Sequence, residues 1–186
     1  MTLLYRTVAA LLLIPFPWSM TVRGQNSLGI RSVDFRNFDY GSQPGEGRVL
    51  LRKGRSNEKT FGIPNSKLTA VKYADLDGDG REEAVVVIKT NLFGSGGYDE
   101  HYYVFTYRNG VPRRLFDEYK EQGRGIRIKD GALMIVAPYW DTEVPHCCPK
   151  YIETKAYRLK GSRLVVVKRW LRRNPAFNDF YSKRAL

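Results

Sequence analysis

His101-Tyr-Tyr-Val-Phe-Thr-Tyr107, the pair Asn109-Gly110 and Val111-Pro-Arg-Arg-Leu-Phe116 follow one another in the chain. The flanking runs are rich in aromatic and β-branched residues, which fit a pleated surface. Asn-Gly accepts the positive φ angles of the tight hairpin turn whose twist matches the strands it joins. The stretch therefore reads as two antiparallel strands, and the same punctuation recurs on both sides. Asp130-Gly131 divides Gly125-Ile-Arg-Ile-Lys129 from Ala132-Leu-Met-Ile-Val-Ala137, and Lys160-Gly-Ser162 divides Tyr151–Leu159 from Arg163-Leu-Val-Val-Val167. Further strands are expected over Ser32–Tyr40, Gly47–Arg52, Leu68–Ala74 and Glu83–Lys89. About ten strands then succeed one another with no long amphipathic helix between them. The expected fold is mainly β, an antiparallel β-meander forming one large twisted sheet, two packed layers or a partial propeller-like array. Within 101–107, His101, Tyr103, Phe105 and Tyr107 share one face of a strand. That stripe suits core packing, and a carbohydrate-stacking platform would use the same side chains.

The chain has 186 residues, 31 Lys plus Arg against 19 Asp plus Glu, and an apolar share of 42%. Those proportions can build a core, and they exclude a disordered, collagen-like or polytopic membrane protein. Two cysteines are too few for a disulfide scaffold, and two histidines are too few for a histidine-rich metal centre.

Met1 to Trp18 carry one charge, Arg6, ahead of the apolar run Val8-Ala-Ala-Leu-Leu-Leu-Ile-Pro-Phe-Pro-Trp18. The run is shorter than the roughly 20 apolar residues of a membrane span, and Pro15 and Pro17 would break a helix near its exit. Residues 1–24 therefore read as a signal peptide cleaved before Gln25, an uncleaved N-terminal anchor being the alternative. Residues 25–186 form a single β-rich domain, with no stable membrane span after cleavage. Loss of Arg6 and Arg23 leaves it at a formal charge of +10. Its cations concentrate at Arg48–Arg55, Arg113-Arg114 and Arg163–Arg173. An exported basic domain meets the polyanions of the cell envelope first, although the same alternation also describes a merely solvated strand face.

The sharpest local signal is Asp75-Leu-Asp77-Gly-Asp79-Gly80-Arg81-Glu82-Glu83, followed by the apolar Ala84-Val-Val-Val-Ile88. Carboxylates at positions 1, 3 and 5 converge when the backbone curls, and Gly80 at position 6 permits the bend. The Arg81 carbonyl can supply the oxygen of position 7, and Glu83 at position 9 can close the shell. Hard oxygen ligands in this number suit calcium better than magnesium or zinc. Four such carboxylates would repel one another without a cation. A metal-free Asp-Gly turn is the alternative. An EF-hand is excluded, because its position 12 falls on Val86 and the flanks are strands. Over Lys72 to Thr90 the segment resembles the calcium loops of the FG-GAP/VCBS family of β-propeller repeats. It has Glu82-Glu83 where that family places Pro-Asp, and it occurs once, so a whole propeller is not implied.

Pro145-His146-Cys147-Cys148-Pro149 holds the only thiols. Adjacent α-carbons lie about 3.8 Å apart, below the usual disulfide range of about 4.4–6.8 Å. A bridge between Cys147 and Cys148 would therefore be strained and easily reduced. Three readings stand: a vicinal disulfide, free or intermolecular thiols, and a metal or redox centre. Phe93-Gly-Ser-Gly-Gly97 lacks the following helix of a phosphate loop and reads as a connection. Together, the apolar leader, the acidic loop, the aromatic strand and the Cys-Cys-Pro resemble small exported bacterial β-rich proteins of unknown function. The expected function is that of an exported, non-enzymatic β module, secreted or held in the periplasm or cell envelope. Calcium would stabilise it, and it would bind an anionic envelope component or another exported protein. The alternative is a cell-envelope hydrolase or thiol-dependent enzyme built on Cys147, His146 or the acidic loop, with Asp141 and Glu143 gathered beside His146. Nucleic acid is not an expected partner, since no reader motif accompanies the charge.

Overall fold

The computed structural model describes residues 29–43, 47–56, 66–91, 98–140 and 149–177. They form eleven strands and two short 3-10 turns, with no α-helix among them. In chain order the strands are β1 (Asp39–Gln43), β2 (Gly47–Arg52), β3 (Arg55–Ser56), β4 (Ser66–Ala74), β5 (Glu83–Asn91) and β6 (Tyr98–Arg108). They continue as β7 (Val111–Glu121), β8 (Ile126–Lys129), β9 (Ala132–Tyr139), β10 (Tyr151–Lys160) and β11 (Arg163–Arg173). The first seven make one curled antiparallel sheet in sequential order, and the last four make a second sheet, also sequential.

Two cores follow from this division, one on each face of the central strands. Ala84, Val86 and Ile88 of β5 join Tyr103 and Phe105 of β6 under Ile30, Phe35, Tyr40, Val49 and Leu51. Val85 and Val87 join Tyr102 and Val104 against Leu133, Ile135, Tyr157 and Leu159 of the second sheet. A strand covered on both faces needs an unbroken apolar run rather than alternation, which explains Ala84–Ile88. Burying each valine or isoleucine of that run contributes about 1.5–3 kcal/mol relative to leaving it exposed. Tyr103 and Phe105 are buried and Tyr107 is half-buried, so the aromatic stripe is core and not an open platform. Its rings meet Phe38 and Tyr40 at centroid separations of 4.9–5.2 Å.

The expected hairpins form. Asn109 and Gly110 have φ of 53° and 82°, and Asp130 and Gly131 have 52° and 67°, the paired positive angles of a tight two-residue turn. The strand expected over Ser32–Tyr40 forms only from Asp39 onward. Ile30–Ser32 is a 3-10 turn, and Asp34 then accepts the Arg36 N–H at 3.0 Å and the Asn37 side-chain amide at 2.7 Å. Such local carboxylate bonds compete with a ladder. They curl the segment so that Phe35 and Phe38 both reach Phe105, which an extended strand would prevent by sending them to opposite faces.

Candidate metal centre

The acidic loop joins β4 to β5. Leu76 is buried in the core between the two sheets and pins the loop to it. The Asp75 carboxylate then points into the curl, accepting the N–H of Gly78 at 2.6 Å and of Gly80 at 2.9 Å. Asp77 accepts the Asp79 N–H at 3.1 Å, and Asp79 accepts the Arg81 N–H at 2.8 Å. Gly78 and Gly80 sit at φ of 80° and 82°, a region where a Cβ is strained. The Gly80 N–H above all, with those of Gly78, Asp77 and Asp79, holds Asp75 below the ordinary carboxylate range against an opposing effect of burial.

Glu83 opens β5 and is fully buried. One of its oxygens, Oε2, accepts the Leu76 N–H at 3.0 Å. The other, Oε1, is buried and has no hydrogen-bond partner. Burial pushes this carboxyl upward, and the charges of Asp77 and Asp79 add to the rise. The Leu76 N–H and the nearby Thr106 hydroxyl oppose it, though Thr106 does not give Oε1 hydrogen-bond geometry. Asp75, Asp77 and Glu83 each offer an oxygen within 4.8 Å of the others, a cluster that could hold a metal ion. Beside it lies a cavity of about 90 Å³ bounded by Asp77, Glu83, Thr106 and Arg108, with Ser162 of the β10–β11 turn across from them.

Of the five residues expected as ligands, three carboxylates converge. Asp79 turns instead to Arg108, whose guanidinium lies 3.0 Å from its Oδ2. Arg81 is exposed and adds its backbone N–H to the turn. Two contacts have no local signal in the sequence: Arg108 is 29 residues from Asp79, and Arg31 grips Glu82 through two bonds of 2.5 and 2.8 Å from 51 residues away. Arg31 also lies 4.6 Å from the centre of the Tyr73 ring, so it fixes the exit of the loop against β4. Cys147, Cys148, His146, Asp141 and Glu143, the glycine-rich 93–97 connection and the leader 1–24 lie outside the described residues. Among the described residues, no helix is long and apolar enough to cross a membrane. The chain matches no protein-family model and no curated protein.

Proposed function

We propose that the protein is an exported, non-enzymatic β module whose acidic loop binds a calcium ion as a structural element. Asp75, Asp77 and Glu83 would hold the ion. The observation that carries this reading is the fully buried Glu83 carboxylate, whose Oε1 has no hydrogen-bond partner and which offers an oxygen within 4.8 Å of one from each of Asp75 and Asp77. An unmade hydrogen bond at a buried polar atom costs about 1–3 kcal/mol. A cation supplies the missing partner and relieves the crowding of like charges. The ligands are all hard oxygens on a loop, which suits calcium better than zinc. The ion would tie the β4–β5 connection to the core, and no chemical step is assigned to it.

The module would also bind an anionic component of the cell envelope or another exported protein, and the net positive charge supports the first of these. Thermal melts of the wild type and of Asp77→Ala in calcium, magnesium and chelator test the metal. A midpoint raised by calcium in the wild type and not in the variant is expected. A midpoint indifferent to millimolar calcium would reduce the loop to a turn.

A further inference from the structure

The two faces of the second sheet differ sharply in charge. Between 124 and 177 the described residues include twelve Lys and Arg but only two acids, Asp130 and Glu153. Glu153 is buried and bonded to Arg169, on the side that faces the first sheet together with Lys155 and Tyr157. Asp130 sits in the β8–β9 turn. The outward face of the four strands therefore presents cations with no carboxylate among its described strand residues.

At the centre of that face Trp170 and Arg172 of β11 lie beside Thr154, Val136 and Met134. Arg124 and Arg127 close the far side of this shallow groove, whose volume is about 220 Å³. Arg124, Arg127 and Arg172 are exposed, and none of their guanidinium groups has an ion-pair or hydrogen-bond partner among the described residues. Lys168 reaches over the Trp170 ring at 5.7 Å. Towards the other end, Lys129, Arg158, Lys160 and Arg163 emerge on the same face by strand alternation. Lys160 and Arg163 are direct cross-strand partners, a like-charge pairing that disfavours the sheet. Neither side chain has an ion-pair or hydrogen-bond partner among the described residues.

The arrangement of these charges selects the kind of anion. They occupy three of the four strands, so they spread across roughly 14 Å of sheet and along roughly 30 Å of β11. A single polymer chain would be met by a line of cations along one groove. A two-dimensional field matches a layer of phosphate headgroups. Trp170 with Met134 and Val136 sets an amphipathic ring and two apolar side chains in the middle of it, the chemistry favoured at a bilayer interface. Guanidinium groups bind phosphate bidentately, so the three unpartnered arginines are suited to a headgroup.

We propose that the outward face of β8–β11 docks on an anionic phospholipid surface, with Arg124, Arg127 and Arg172 engaging headgroup phosphates around Trp170. This rests on the anionic-partner reading above and is independent of the metal. The docking is peripheral and reversible, since exposed charges are screened over about 8–10 Å at physiological salt.

The test uses the full chain with vesicles of pure phosphatidylcholine and of phosphatidylcholine containing 30% phosphatidylglycerol, in chelator throughout. Binding is scored as the difference between the two, which cancels any contribution of the apolar segment at 8–18. Each cation near an anionic surface multiplies partitioning about fivefold. Arg127→Gln combined with Arg172→Gln is therefore expected to lower the difference about 25-fold. Arg55→Gln combined with Lys67→Gln, two exposed cations of the first sheet, should change it less than twofold. Tryptophan emission should shift further to the blue on the phosphatidylglycerol vesicles than on pure phosphatidylcholine, and Trp170→Phe should abolish that difference, to which Trp18 of the apolar segment contributes equally on both. Equal loss in both charge pairs, or no preference for phosphatidylglycerol, would overturn the proposal. If soluble polyphosphate binds while the vesicles do not, the anionic partner survives as a polymer and the membrane assignment fails. A calcium-insensitive melt alongside vesicle binding would remove the metal and leave this face intact.

Discussion

Replacing Glu83 by glutamine tests the metal site at its most constrained point. The substitution keeps the volume of a fully buried side chain and keeps an oxygen able to accept the Leu76 N–H, now 3.0 Å from Oε2. It removes the negative charge and replaces one carboxylate oxygen with an amide nitrogen that cannot ligate a cation. In chelator the wild type bears the cost of the unpartnered Oε1, about 1–3 kcal/mol. The variant exchanges that for an unpartnered amide donor of similar cost, so the two should melt within a few degrees of each other. Calcium separates them. With a dissociation constant of about 10⁻⁴ M, at the tight end for extracellular sites, 10 mM calcium is a hundredfold excess and adds about 2.7 kcal/mol. For a chain of this length each kcal/mol moves the midpoint about 2–4 °C. The wild type should therefore rise by roughly 5–10 °C and Glu83→Gln by less than 2 °C. Differential scanning calorimetry with and without calcium reads both. If the two proteins rise together, the ion binds elsewhere and the assignment of Glu83 is wrong.

Tyr40→Phe removes a buried hydroxyl that donates to the Phe35 carbonyl at 2.8 Å, and it should cost about 1 kcal/mol in urea unfolding with an unchanged m-value. Gly123→Ala would place a Cβ 2.4 Å from the Tyr102 hydroxyl and 2.8 Å from Glu100, so destabilisation of about 1–3 kcal/mol is expected; a neutral variant would show that the β7–β8 connection yields freely. His101 is held below its ordinary pKa by burial, against the pull of Asp99 and Asp117. The unfolded chain then binds a proton that the folded chain resists, so His101 contributes a loss of stability as pH falls below about 6.5. His101→Gln should flatten the pH profile of the melting midpoint in that window, and a profile identical to the wild type would remove His101 as its source.

The features legible in the chain are those whose causes are local. Asn109-Gly110 and Asp130-Gly131 encode their turns through backbone angles that few other pairs accept, and the Asp-Gly alternation at 75–80 encodes its curl through carboxylates bonding the next few N–H groups. What escaped depends on residues distant in sequence. The break between the sheets after β7 follows from which face of β6 meets Leu133 and Tyr157. The segment before β1 mimics a strand through Val33 and Phe35; Asp34 curls it locally, and the packing of Phe35 and Phe38 on the distant Phe105 holds the curl. At the site, three carboxylates converge as their spacing suggests, whereas Asp79 is drawn off by Arg108 from another strand. The isolation of Glu83 Oε1 is a property of its surroundings that no spacing encodes.

The sequential strand order also governs how the molecule is assembled. Every ladder among the described strands joins neighbours along the chain, so each new strand closes only a short loop. That gives this β protein a low contact order for its class and favours rapid pairing from the N-terminus onward. The cover of β5 and β6 arrives less evenly. Their Ala84, Val86 and Ile88 side is sheltered by residues already synthesised, but Val85, Val87, Tyr102 and Val104 wait for Leu133, Ile135, Tyr157 and Leu159. Until β9 and β10 have been made, a seven-stranded sheet carries a bare apolar flank. That half-finished species, rather than the completed protein, is the one most exposed to aggregation.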